Sequence, residues 1–225
     1  MNRAAPVGPA VPAASAGTVF SAMDSVAVID FETTGMSPEQ GARATEIAVV
    51  LLRGGEVVDR YQSLMNTGAW VPPFIEELTG ISNEMLEDAP PAERVMRDVA
   101  EFVGGVPMVA HNASFDRRFW EAELARVGRA GGNRFACTLL LSRRVYPEAP
   151  NHKLGTLARH LALPVTGRAH RAMADAEMAA GLWLGIRHAL AQRYRLPDPD
   201  HATLCALQSV PRAGLAAWIG RHCGG

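Results

Sequence analysis

Four carboxylates and one histidine stand in three separated blocks of this chain. Asp30 and Glu32 lie in Val28-Ile29-Asp30-Phe31-Glu32-Thr33-Thr34-Gly35. Asp116 closes His111-Asn112-Ala113-Ser114-Phe115-Asp116. His170 and Asp175 bracket His170-Arg171-Ala172-Met173-Ala174-Asp175. Carboxylates are hard oxygen donors suited to Mg²⁺ or Mn²⁺. Four of them brought together can hold two such ions, the setting for in-line attack on a phosphodiester. A neutral imidazole beside such a centre is a sensible base for deprotonating water.

Taken singly, each block has an ordinary explanation as well. Asp30 and Glu32 share one face of a strand end, with Phe31 turned into the core. Two such acids can flank a solvated turn; buried, they repel each other unless a cation lies between them. Asp116 falls in the first turn of a helix, where an acid is common for dipole reasons alone. His111 reads as a structural hydrogen-bonder, and His170 on its own reads as an exposed loop histidine. The specific signal is the combination, in this order and in these contexts.

The elements that must position these residues follow from pattern. The apolar run 26–29 ends in Asp30 and predicts a buried central strand. Residues 45–53 and 56–66, joined at Gly54-Gly55, predict an antiparallel meander with it. A short helix is expected within 70–80, and a longer one over 92–103, with Val95, Val99, Phe102 and Val103 along one side. Gly104-Gly105 stops it. Strands at 107–110 and 134–137 alternate with helices at 114–127, 138–145, 154–161 and 171–190. That alternation predicts an α/β fold: a mixed five-stranded sheet flanked by helices. Ala172, Ala174, Ala176, Ala179 and Ala180 would let the last helix lie close on the sheet and aim Asp175 inward.

The 225 residues, 48% hydrophobic, suffice for one domain with a sizeable core. Residues 1–22, rich in Ala and Pro, read as a flexible tail; 23–190 form the catalytic unit. Residues 191–225, beyond the break at Pro197-Asp198-Pro199, read as a helical appendage that packs back on the domain or binds a partner. Short helices are expected there at 202–207 and 214–221. The net charge of −1 argues against a protein that coats long DNA, yet not against an enzyme holding a few nucleotides at a metal centre. Cys137, Cys205 and Cys223 show neither metal spacing nor a disulfide framework, which suits the reducing cytoplasm. No signal peptide and no membrane span are read.

Together the motifs resemble the DEDDh exonuclease family of ribonuclease H-like fold, typified by the proofreading epsilon subunit of bacterial DNA polymerase III. The three blocks match its three motifs, and the spacing of His170 and Asp175 is that of the histidine branch. Leu78-Thr79-Gly80-Ile81, Cys137-Thr138 and Asn151-His152-Lys153-Leu154-Gly155-Thr156-Leu157-Ala158 match weaker blocks, so the resemblance spans residues 25–189.

It implies a 3′–5′ exonuclease with two Mg²⁺ or Mn²⁺, acting on single-stranded or frayed 3′ ends, DNA favoured over RNA. Asp30, Glu32 and Asp175 would hold the tighter ion, with Asp30 bridging to a second ion near Asp116, and His170 would be the base. Thr33, Met36, Leu78, Thr79, Asn112 and Phe115 would grip the last nucleotide. Thr79 departs from the histidine usual in the proofreading subunit. Gln208-Ser209-Val210 is a poor match to a clamp-binding motif, so polymerase association is possible but not indicated and a stand-alone enzyme is favoured. An exoribonuclease of the same branch is the nearest alternative. An inactive partner-binding module is the other, and all five catalytic positions being filled speaks against it.

Overall fold

The computed structural model describes residues 25–164, 167 and 170–223; the tail read over 1–22 lies outside them. Strands β1 (Ser25–Thr33), β2 (Ala44–Arg53) and β3 (Glu56–Leu64) form the expected antiparallel meander. On the other side of β1, β4 (Met108–Ala110) and β5 (Phe135–Cys137) add in parallel. The five-stranded sheet has the order β3-β2-β1-β4-β5. β1 therefore joins the antiparallel and parallel halves. It also runs three residues past Asp30, because β2 continues to pair with it as far as Thr33. Both motif acids thus lie within the ladder, and the register shifts only between Glu32 and Thr33.

The helices are α1 (Pro73–Thr79), α2 (Asn83–Glu87), α3 (Ala92–Val103), α4 (Ala113–Arg126), α5 (Thr138–Val145), α6 (Leu154–His160), α7 (Ala172–Tyr194), α8 (His201–Leu207) and α9 (Leu215–Cys223). Strand alternation sorts α3 to α9 into two layers, while α1 and α2 close a small separate cluster of Val71, Ile75, Ile81 and Leu86. Val26 and Val28 share a core with Leu141 of α5, Leu157 of α6 and Trp183 of α7. Ala27, Ile29 and Phe31 share the other with Val95 and Val99 of α3 and Phe119 and Trp120 of α4. With both faces covered, β1 and β2 need near-continuous apolar runs, and they have them. The alanines of α7 do bring it onto the sheet: Ala172, Ala176, Ala179 and Ala180 are buried against the layer that holds Val28, Ala48 and Val50.

Two differences from the sequence pattern have simple causes. α2 has only five residues, too few for a helical period to register. Its start is marked by Ser82, whose side chain accepts the Met85 N–H. α7 continues beyond residue 190 to Tyr194 and ends at Arg195 in a left-handed conformation.

Residues 191–223 pack back on the sheet. Leu196, Leu204, Leu207, Leu215 and Ile219 join the α7 core. Gln208 accepts the Cys137 N–H at 2.7 Å and donates to the Phe135 carbonyl at 3.4 Å. Buried His201 reaches the Met108 carbonyl at 2.8 Å. Side chains of this segment thus occupy the β5 edge where a sixth strand would pair, and the Gln208 amide is engaged there. Among the described residues no helix is long and apolar enough to cross a membrane.

Candidate active site

Each motif reaches the same end of β1 by a different local device. Asp30 is half-buried and Glu32 is buried, both on the α7 side of the strand. Asn112 adopts φ 68° at the start of α4, a left-handed turn that Asn tolerates better than most residues. That turn sends the chain from β4 into α4 and carries Asp116 back beneath β1. Asp116 is 2% exposed and accepts the Phe31 N–H at 3.2 Å. Phe31, Phe115 and Phe119 pack together behind it, with ring centroids 6.4 Å (Phe31–Phe119) and 4.9 Å (Phe115–Phe119) apart, and fix α4 to the strand.

The third block starts α7. His170 is exposed, with φ 60°, and its backbone N–H hydrogen-bonds the Asp175 carboxylate. Ligand atoms of Glu32, His170 and Asp175 all lie within 4.8 Å of one another.

The electrostatics follow from this crowding. Loss of solvent pushes Asp30 well above the usual carboxylate range, and Asp116, Asp175, Glu32 and Glu46 push it further. Burial, then Asp175 and Glu46, raise Glu32 to about 8. Burial raises Asp116 to about 7 against the pull of the Phe31 N–H. Asp175 is also raised by burial, although His170 opposes the shift. Four acids crowded together, each raised by burial, form a hard-oxygen donor set whose ionised form a cation would favour. The residues therefore fit Mg²⁺ or Mn²⁺.

His111 has a different part. Its ring contacts the Thr138 hydroxyl and the His152 carbonyl, each at 3.0 Å, and burial lowers it to about 4. It is a neutral strut that ties the end of β4 to α5 and to the loop before α6.

The residues expected to grip a nucleotide divide by exposure. Met36 is 73% and Leu78 47% exposed. Asn112 is exposed, and Phe115 is half-buried on Phe119. Thr33 is buried and donates to the Gly35 carbonyl at 2.7 Å, shaping the turn after β1. Thr79 is 1% exposed; its hydroxyl donates to the Ile75 carbonyl and accepts the Ile81 N–H. The Thr79 side chain therefore locks the end of α1, and Leu78 is the member of that pair presented to solvent.

Sequence reasoning missed two ion pairs beside the site, each joining a buried acid to a half-buried arginine. Arg43 forks onto Glu123 at 2.8 and 2.9 Å, joining the loop after the first motif to α4. Arg171 forks onto Glu46 at 3.1 and 2.8 Å. The available signal was a lone acid in the apolar run of β2, since a charge there needs a partner.

Comparison with known proteins agrees with this geometry. The family model described as "Exonuclease" matches residues 27–183. The chain is 39% identical over 173 residues to the 3′-5′ exonuclease DinG of Bacillus subtilis, covering 76% of this chain and 18% of that protein. It is 36% identical over 207 residues to the DNA polymerase III PolC-type of the same organism, covering 83% and 14%. The chain thus spans less than a fifth of the length of these curated relatives. Among solved structures, Exonuclease X in complex with 5′ overhanging duplex DNA superposes with a TM-score of 0.62 at 25% identity, covering 80% of this chain and 99% of that one. The chain belongs to the exonuclease family, and its mixed sheet flanked by helices is the ribonuclease H-like fold of that family.

Proposed function

We propose that the chain is a metal-dependent 3′–5′ exonuclease that hydrolyses the last phosphodiester of single-stranded or frayed DNA 3′ ends and releases nucleoside monophosphates. The observation that carries this reading is the convergence of Asp30, Glu32, Asp116 and Asp175 from three distant blocks, with His170 beside two of them. The similarity to a 3′-5′ exonuclease, to a DNA polymerase III and to an exonuclease bound to duplex DNA supports the direction of attack and the polymer.

Asp30, Glu32 and Asp175 would hold one Mg²⁺ or Mn²⁺, with Asp30 and Asp116 serving a second. When bound, such ions supply Lewis acidity and a water of lowered pKa. The rest belongs to this chain. His170, exposed at the start of α7, receives the proton of the attacking water. The Phe31 N–H holds Asp116 in place. Met36 and Leu78 offer apolar surface to the terminal base, Phe115 lies below the sugar, and Asn112 and the turn set by Thr33 border the nucleotide. Thr79 contributes by fixing Leu78.

Matched DNA and RNA oligonucleotides with labelled 5′ ends, incubated with Mg²⁺ or with chelator, test the proposal. The expected result is stepwise shortening of DNA from its 3′ end, faster than of RNA and absent in chelator. Internal cuts, or full activity in chelator, would end this reading; faster loss of RNA would transfer the site to exoribonuclease work.

A further inference from the structure

Glu46 of β2 faces Glu32 across the β1–β2 ladder and is 1% exposed. It is the obvious candidate for one more acid in the metal cluster, but its hydrogen bonds argue otherwise. Oε1 accepts Arg171 Nη2 and Gln62 Nε2, both at 2.8 Å. Oε2 accepts Arg171 Nε at 3.1 Å and the Ala172 N–H at 3.0 Å. A carboxylate has about four acceptor positions, and here all are in use.

The partners share one location. Arg171 directly follows His170 and is the N-cap residue of α7, with no capping bond from its own side chain. Ala172 opens the helix, and its N–H is one of the donors that a helix leaves unpaired. Glu46 supplies from another strand the cap that the local sequence lacks. The Arg171 carbonyl in turn accepts the Asp175 N–H at 3.1 Å.

A stabilising role alone is a weak account of this pair. Taking the Glu46 charge out of water offsets much of its attraction to Arg171, and the half-exposed guanidinium is screened by solvent. What a two-pronged contact supplies beyond that is geometry. The body of α7 is already held by its alanines against the sheet. His170 is exposed and stands outside the helix, before its N-cap residue.

We propose that Glu46 and Arg171 are positioning residues that clamp the start of α7 and so set the direction of His170 toward Glu32 and Asp175. The inference rests on the catalytic reading above.

The test uses Glu46→Gln, which keeps the shape, and Arg171→Lys, which keeps the charge but loses the fork at a partly exposed position. Each is made in the wild type and in His170→Ala, and kcat, KM and hydrogen exchange of amides 170–175 in the metal-free protein are read. In the wild type, kcat should fall about 10–100-fold, the usual cost of removing such a support, with KM within about threefold and faster exchange at 170–175. In His170→Ala the same changes should cost less than about threefold, because residues acting as one unit are not additive. An equal loss in both backgrounds, wild-type kcat, or unchanged exchange would overturn the clamp. A wild type without nuclease activity would instead sink the proposed function, and the exchange arm would still judge the clamp.

Discussion

Asp30 stands among four other carboxylates, and the nearby Arg171 is bound to Glu46. Asp30→Asn should therefore remove nearly all turnover while raising the melting temperature of the chelated protein at pH 8. For a chain of this size each kcal/mol of relieved repulsion is worth about 2–4 °C. Calorimetry and an oligonucleotide assay on one preparation check both halves; an unchanged or lower melting temperature would mean that the acids do not strain one another. His170→Ala should lower turnover about 10²–10⁴-fold, the usual worth of general acid–base help. His170 has a positive φ, so His170→Gly is the better-tolerated backbone. The two variants should lose the same activity and differ in stability, and any activity gap between them would belong to the backbone instead of the imidazole. That the three motifs meet at one end of β1 was legible in the sequence. Glu46 was not, because nothing near it in sequence names Arg171 as its partner, 125 residues away.

Among the elements, most could be read, down to the three-residue strands β4 and β5, and only the five-residue α2 gave no pattern. α3 and α5 coincide with the patterned segments because their apolar faces repeat over whole turns. β1 was underestimated because Asp30 and Glu32 look like the end of a strand when only hydrophobicity is followed. Their pairing with β2 keeps them in it. The docking of α8 was also hidden, since Gln208 is an ordinary polar residue until β5 lies beside it. Gln208→Ala leaves the buried Cys137 N–H without its acceptor. It should destabilise the protein by about 1–3 kcal/mol, read as a lower denaturant midpoint at unchanged slope. kcat at saturating Mg²⁺ should stay at the wild-type value. A loss of activity without a loss of stability would instead tie α8 to the site.

For the whole molecule, the buried acids make stability depend on pH and metal together. Glu32 rises to about 8 and Asp116 to about 7 on folding, so the folded state binds more protons than the unfolded state. Their stabilising share is complete below the ordinary carboxylate range and is lost as pH rises through 7 and 8. His111, lowered to about 4, acts in the opposite sense but only below about pH 6.5. Glu46 is pushed up by burial, yet hydrogen bonds from Arg171, Gln62 and Ala172 hold it below its ordinary value, so it too is silent in this window. In chelator the melting temperature should therefore fall between pH 7 and 8.5, and saturating Mg²⁺ should abolish the fall. A flat or rising curve in chelator would show that the acids are not protonated at neutral pH. The two sides of the sheet finally differ in a way that matters for handling the unit. β3 leaves its outer edge to solvent-facing residues such as Glu56, Asp59 and Arg60. β5 itself, Phe135–Cys137, carries no charged side chain, and its edge is met by Gln208 beside the buried leucines of α8. A piece trimmed at residue 183, where the family match stops, or at 190 would bare a hydrogen-bonding edge bordered by apolar surface, the combination that templates intermolecular strand pairing. The smallest soluble cassette is set by that edge, about thirty residues beyond the third motif, and a shorter piece would be lost to aggregation before its chemistry could be judged.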